Sequence, residues 1–361
     1  MTEETTTPPI KKNLFGNLLK IEGFYKASTI VDELNAIIPQ RNTLYSTSPS
    51  LSWLSGGFIP GMMSLWYGPK SSGKTMLTLD LIKNALNQEP DGIVVYVDAE
   101  MSFEKEPTIK WMIANGVDVS RVMLLREICI KEIFDVKILK DIQLSIKNDG
   151  TKVIAIVLDS VQATSMHNLP NTDKQILNAD YAKQDFGARA NYLSRIFPQL
   201  RAFCRNYNVH FFFIGQARSG GKDFYGNEII ITTGGEALQH EIQYKFLITP
   251  DGEPIFHETD KDADGKFIKV GHQIKIVCLK NKVSEGQDKV GWVKIKYMQG
   301  IVDTESELVD ICTKLNIVNT AGAWLSYSDK KWNGAAKMAE YLKEDQLMYR
   351  ELYNKMLFRM G

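Results

Sequence analysis

The sequence predicts an α/β protein: a mostly parallel sheet with helices on both faces, antiparallel strands added along one side, and a small appendage at either end. Three observations carry this. Short, near-continuous apolar runs alternate with helical patterns through the middle of the chain. After residue 240 similar runs follow one another across turns alone, and from about Gly300 the chain becomes helical and mixed in charge.

Each element follows in order. "MMSLWYG" (62–68) leads into a helical pattern over 75–88, with Leu79, Ile82, Ala85 and Leu86 at helical spacing. "IVVYVDAE" (93–100) precedes a helix over 107–117. "VIAIVLDS" (153–160) and "VHFFFIGQ" (209–216) are separated by a long helical pattern over 186–208. Runs this rich in valine, isoleucine and phenylalanine suit strands buried on both faces, and their alternation with helices argues a parallel sheet. "YKFLITP" (244–250), "HQIKIVCL" (272–279) and "GWVKIKYM" (291–298) read as antiparallel additions. The expected organisation is a polar, proline-broken leader and N-terminal arm over 1–44, a core over 45–300 and a small C-terminal α/β domain over 301–361.

Composition narrows the function classes. The 361 residues are 44% hydrophobic and 24% charged with a formal net charge of +0, so no global basic excess announces a nucleic-acid partner. Cys129, Cys204, Cys278 and Cys312 lie far apart, which favours free thiols and a reducing cytoplasm. The histidines show no metal-ligand spacing. No apolar run approaches the ~20 residues of a membrane span.

The chemistry begins at "GPKSSGKT" (68–75), which fits G-x-x-x-x-G-K-[ST] between a predicted strand and a predicted helix. Gly68 and Gly73 let the backbone curl through Pro69, Lys70, Ser71 and Ser72, so that its amides face a phosphate at the helix N-terminus, with Met76 just inside. Lys74 reaches phosphate oxygens and the Thr75 hydroxyl suits Mg²⁺. Asp159, closing an apolar strand, would hold that metal through water. Glu100, just past the strand that ends "YVDAE", is the preferred residue to orient an attacking water; Asp98 competes, inside the strand pattern. Glu106 or Trp111 would cover the base of the nucleotide, although Trp111 serves as well for helix packing.

"SGGKDFYGNEIIITTGG" (219–235) is a connection too long for an ordinary compact domain, which points to function or disorder. GPKSSGKT, YVDAE, VLDSV, the strand ending in Gln216 followed by Arg218, "TTGGEAL" (232–238), "LKNK" (279–282) and "AGAWLSY" (321–327) stand in the order found in RecA. Over residues 45–345 the chain resembles the RecA family of homologous-recombination ATPases. The resemblance implies an ATP- and Mg²⁺-dependent enzyme that forms a head-to-tail helical filament on single-stranded DNA. There it would pair the strand with homologous duplex and exchange strands, with single-strand-binding and loader proteins as partners and a place in the SOS response to DNA damage.

It also implies residue roles. The 219–235 loop would bind DNA through Arg218, Lys222, Thr233, Gly234 and Gly235. Phe224 and Tyr225 would either stack on bases or merely pack the loop. Arg189 matches a phosphate-contacting arginine beyond a second loop (164–187), and Lys275 would help to hold duplex. Gln216 would sense the nucleotide and report to the loop. Lys280 and Lys282, which strand spacing would place on one face, would reach ATP on the neighbouring subunit. The segment near 12–30 would be the docking arm.

Some features depart from the family pattern. Gly215 precedes Gln216, and the chain ends "MLFRMG", so regulation by an acidic tail is not expected. "DKDADG" (260–265) imitates the start of a calcium loop, but the twelfth position is Gly271 and a polar hairpin turn is the better reading. A ring-forming helicase or repair ATPase and a nucleotide-gated scaffold with negligible turnover stand as alternatives.

Overall fold

The computed structural model describes residues 43–100, 106–166, 181–222, 228–232 and 235–359, with backbone alone at a few of these positions. Among them, ten strands form one sheet. The central strand β1 (Met63–Gly68) and five strands parallel to it build its core: β2 (Gly92–Asp98), β3 (Val122–Leu125), β4 (Lys152–Asp159), β5 (His210–Lys222) and β7 (Tyr244–Lys261). The spatial order is β3-β2-β4-β5-β1-β7, with β6 (Glu228–Thr232) pairing antiparallel to the far end of β5. β8 (Phe267–Asn281), β9 (Val290–Lys296) and β10 (Gly300–Val302) then continue antiparallel.

The apolar runs form these strands because both faces are covered. Trp66, Tyr96, Val157, Phe212 and Phe246 point into one core, with Leu77, Leu81 and Ile82 of α2 (Lys74–Gln88). Leu65, Val95, Ile156, Phe211 and Phe213 alternate into the other, with Ile196, Phe197 and Leu200 of the long helix α5 (Tyr181–Tyr207). The expected fold class is what the chain adopts, with one correction. "YKFLITP" is not an antiparallel addition: β7 runs parallel to β1, Ser64 pairing with Tyr244, and antiparallel pairing starts only at β8.

Two buried segments were invisible to the apolar-run pattern. A short helix α1 (Pro49–Ser55) begins at an N-cap Ser48 that accepts from the amide of Leu51. A π-helical stretch, Glu132–Ile142, sets Ile133, Phe134 and Ile138 into the core and runs on as α4 (Gln143–Asp149). The "DKDADG" turn closes the β7–β8 hairpin, and Asp262 Oδ1 accepts from the amides of Asp264 and Lys266 at 3.0 and 2.9 Å. That carboxylate therefore works as a turn residue. At the C-terminus α7 (Thr304–Lys314), a small sheet of β11 (Asn319–Ala321), β12 (Trp324–Tyr327) and β13 (Lys330–Asn333), α8 (Ala335–Glu344) and α9 (Gln346–Phe358) enclose a third core.

Candidate nucleotide and DNA site

The phosphate loop joins β1 to α2 at the C-terminal edge of the parallel strands, where open α/β sheets gather ligands. Gly68 is required by close approach: a Cβ there would lie 1.9 Å from the Ile248 carbonyl oxygen. Gly73 has φ +86°, which favours glycine directly before the helix. Lys74 Nζ donates to the carbonyl oxygens of Gly68 and Pro69 at 3.1 and 2.7 Å and to Ser72 Oγ at 3.3 Å. Burial lowers its pKa, while Asp159 and Glu100 oppose that shift. The lysine is thus held by the loop itself.

Lys70, Ser71, Lys74 and Thr75 line cavities on both sides of the loop. On the β4 side a cavity of about 810 Å³ is bounded by Glu100, Asp159, Ser160, Gln162 and Gln216. Thr75 Oγ1 donates to Asp159 Oδ2 at 3.0 Å, and Tyr96 OH donates to the same oxygen at 2.7 Å. Burial pushes the Asp159 carboxyl up to about 6, with those two donors holding it down and Glu100 and Asp98 adding repulsion. A hydroxyl and a carboxylate side by side at the phosphate cavity are the hard oxygen donors Mg²⁺ takes beside nucleotide phosphates. No cluster of three or more His, Cys, Asp or Glu suited to a metal occurs among the described residues.

Of the two carboxylates at the end of β2, Glu100 lines the cavity while Asp98, the last residue of the strand, is fully buried. Glu100 Oε1 accepts from Ser160 Oγ and from Gln216 Nε2, the latter at 3.0 Å. The register delivers this meeting: Gly68 pairs with Gln216 across β1 and β5, and Asp98 with Asp159 across β2 and β4. The ends of β1, β2 and β4 and the middle of β5 therefore meet at one cavity.

On the opposite side of the loop a cavity of about 570 Å³ is lined by Pro250, Gly252, Lys269, His272, Gln273 and Tyr297 among others. Tyr297 is 44% exposed, with its ring centroid 5.7 Å from that of His272. Of the two readings of Trp111, its burial fits helix packing: it is only 4% exposed and packs so closely on Gly300 that a Cβ there would meet its ring at 2.9 Å. Trp111 is a core residue. Glu106 opens α3 (Glu106–Ala114), its side chain lying outside the described residues.

The other expected residues are placed as follows. Arg189, on α5, donates to the Thr164 carbonyl at 2.9 Å, to Thr164 Oγ1 at 3.0 Å and to the Val161 carbonyl. Lys280 Nζ donates to the Gln239 carbonyl at 2.5 Å, at the end of α6 (Gly235–Glu241), where cations suit the helix dipole. β8 ends at Asn281, yet the exposed Lys282 still donates its amide to the Gln243 carbonyl at 3.1 Å; burial lowers the Lys280 pKa, and the neighbouring charge of Lys282 adds to that shift. Neither lysine lines either cavity of its own chain. Lys275 is half-buried on β8 opposite Trp292. Phe224, Tyr225, Thr233 and Gly234, and the side chains of Arg218 and Lys222, lie outside the described residues, as do the arm over 1–42 and most of the second loop. Gly235 begins α6. Sequence reasoning missed Tyr96, Ser160, Gln162 and Tyr297.

A family profile described as the RecA N-terminal domain matches residues 18–302, and one described as the RecA C-terminal domain matches residues 306–361. The chain belongs to the RecA family. Similar proteins include Protein RecA of Streptococcus gordonii, 29% identical over 310 residues that cover 85% of this chain and 73% of the relative. Protein RecA of Francisella philomiragia is 29% identical over 303 residues, covering 84% and 75%. Protein RecA of Francisella tularensis subsp. novicida is 30% identical over 291 residues, covering 80% and 72%. Among solved structures, a crystal structure of the RadB recombinase matches with a TM-score of 0.47 and 20% identity, covering 72% of this chain and 98% of that one. Among the described residues of this RecA-family chain, no helix is long and apolar enough to cross a membrane.

Proposed function

We propose that this protein is a DNA-dependent ATPase that assembles as a helical filament on single-stranded DNA and catalyses homologous pairing and strand exchange. The observation that carries the reading is the Gln216–Glu100 hydrogen bond of 3.0 Å, formed inside the phosphate cavity by the strand that runs on into the 219–235 loop. Glu100 is held by Gln216 and Ser160. A γ-phosphate in the cavity offers the Gln216 amide a competing acceptor, which frees Glu100 to orient water. Lys74 leaves its loop carbonyls for the phosphate oxygens. Thr75 and Asp159 would hold Mg²⁺, which would supply charge neutralisation at the phosphates. The base lies on the Tyr297 side.

Because Gln216 touches both ends of this exchange, nucleotide and DNA affinity are linked reciprocally. Lys280 and Lys282 act on a neighbour's nucleotide, for which Lys280 must exchange its helix-end carbonyls. Such head-to-tail contacts propagate into a filament. The test is ATP hydrolysis with and without single-stranded DNA across protein concentrations, with Lys74→Ala as control. The expected result is turnover that needs DNA and rises more than linearly with protein. Turnover indifferent to DNA refutes the reading.

A further inference from the structure

Resting on the role just given to Gln216, the structure assigns a residue that sets it. Gln162 occupies the single 3-10 turn Val161–Ala163 directly after β4 and lines the phosphate cavity. Its Oε1 accepts from the Gln216 backbone amide at 2.9 Å. The neighbouring glycine makes room for it: a Cβ on Gly215 would stand 3.3 Å from Gln162 Nε2, closer than ordinary packing contact. One side chain thus fixes the backbone from which Gln216 reaches Glu100.

The turn that carries Gln162 is itself held from outside the cavity. Arg189 grips both its ends, through the Val161 carbonyl and through the carbonyl and hydroxyl of Thr164. A nucleic-acid phosphate competes for the same guanidinium donors. Drawing Arg189 outward would loosen the turn, then the Gln162–Gln216 contact, then the Gln216–Glu100 bond. We propose that Gln162 is a positioning residue that sets Gln216 against Glu100, and that the Arg189-held turn conveys DNA occupancy to it.

The test uses the full chain with Gln162→Met, which keeps length and volume but removes the strong acceptor. Three quantities are read: the ratio of turnover with saturating single-stranded DNA to turnover without it, the KM for ATP, and the melting temperature. The expected result is a fall in the ratio of roughly tenfold. In a Gln216→Ala background the same change should alter the ratio by less than about twofold, because the residue acts through Gln216. Gly215→Ala, which crowds the Gln162 amide, should lower the ratio in the same direction. A merely structural role would shift the melting temperature and leave the ratio alone. The proposal is overturned if Gln216→Ala lowers the ratio while Gln162→Met does not, or if the two losses multiply. Should Gln216→Ala leave the ratio unchanged, the reading of Gln216 itself falls, and this inference with it.

Discussion

Replacing Glu307 by glutamine should remove a pH dependence from the stability of this protein. Glu307 sits in the first turn of α7 and reaches back to α1. Its Oε2 accepts from Ser48 Oγ and from the Ser50 amide at 3.0 Å, while its buried Oε1 has no partner. Burial pushes its carboxyl from 4.5 up to about 8; the serine donors oppose this and Asp303 adds to it. The folded state therefore keeps a proton that the unfolded chain releases above its ordinary pKa. The contribution is full below the unfolded value and is lost as pH rises through the folded one. At about 1.4 kcal/mol per pH unit, the span has an upper bound on the order of 5 kcal/mol.

Glutamine preserves an acceptor for Ser48 and Ser50 and cannot ionise. We expect the variant and the parent to agree within about 1 kcal/mol near pH 5, and the variant to be the more stable by roughly 2–4 kcal/mol near pH 8.5. Urea unfolding followed by tryptophan fluorescence at the two pH values measures this, and taking the difference cancels every other titrating group. An offset equal at both pH values would refute the argument, because it would mean that Glu307 ionises alike in the folded and unfolded chain.

Three further outcomes concern the nucleotide site and the helix packing beside it. Tyr96→Phe removes one of two hydroxyl donors to the buried Asp159, a bond to a charged group of about 1.5–3 kcal/mol, so the Mg²⁺ concentration for half-maximal turnover should rise several-fold. An unchanged midpoint would remove Tyr96 from the metal's surroundings. Tyr297→Ala should raise the KM for ATP by about tenfold with a small change in kcat, because an exposed ring beside the phosphate loop contributes binding that is equal in ground and transition states. Trp111→Phe should lower the melting temperature and leave KM in place; the reverse pattern would return the base to the Trp111 side.

The legible parts of the fold were those where one local pattern has one physical cause. Valine, isoleucine and phenylalanine runs have to be covered on both faces, and the cores on either side of the sheet take alternate residues of the same strands, Leu65 and Trp66 for example. The direction of β7 was not legible in this way. "YKFLITP" carries the same alternation whether it runs with or against β1, and a preceding short helix, α6, supplied the crossover that a turn would not.

The site divides along the same line. Gly68, Lys74, Thr75, Asp159 and Glu100 could be found because phosphate chemistry constrains residue types at fixed places relative to strand ends. Tyr96, Gln162 and Tyr297 carry no such mark. Tyr96 reads as one more aromatic in a buried strand until its hydroxyl is seen 2.7 Å from Asp159. Gln162 is an ordinary polar residue after a strand until Gly215, noted in the sequence only as a departure, proves to be the space its amide adjoins. A glycine beside a functional glutamine is therefore better read as half of a pair. The side chain absent at 215 leaves room for the one at 162, and the two positions should tolerate substitution only together.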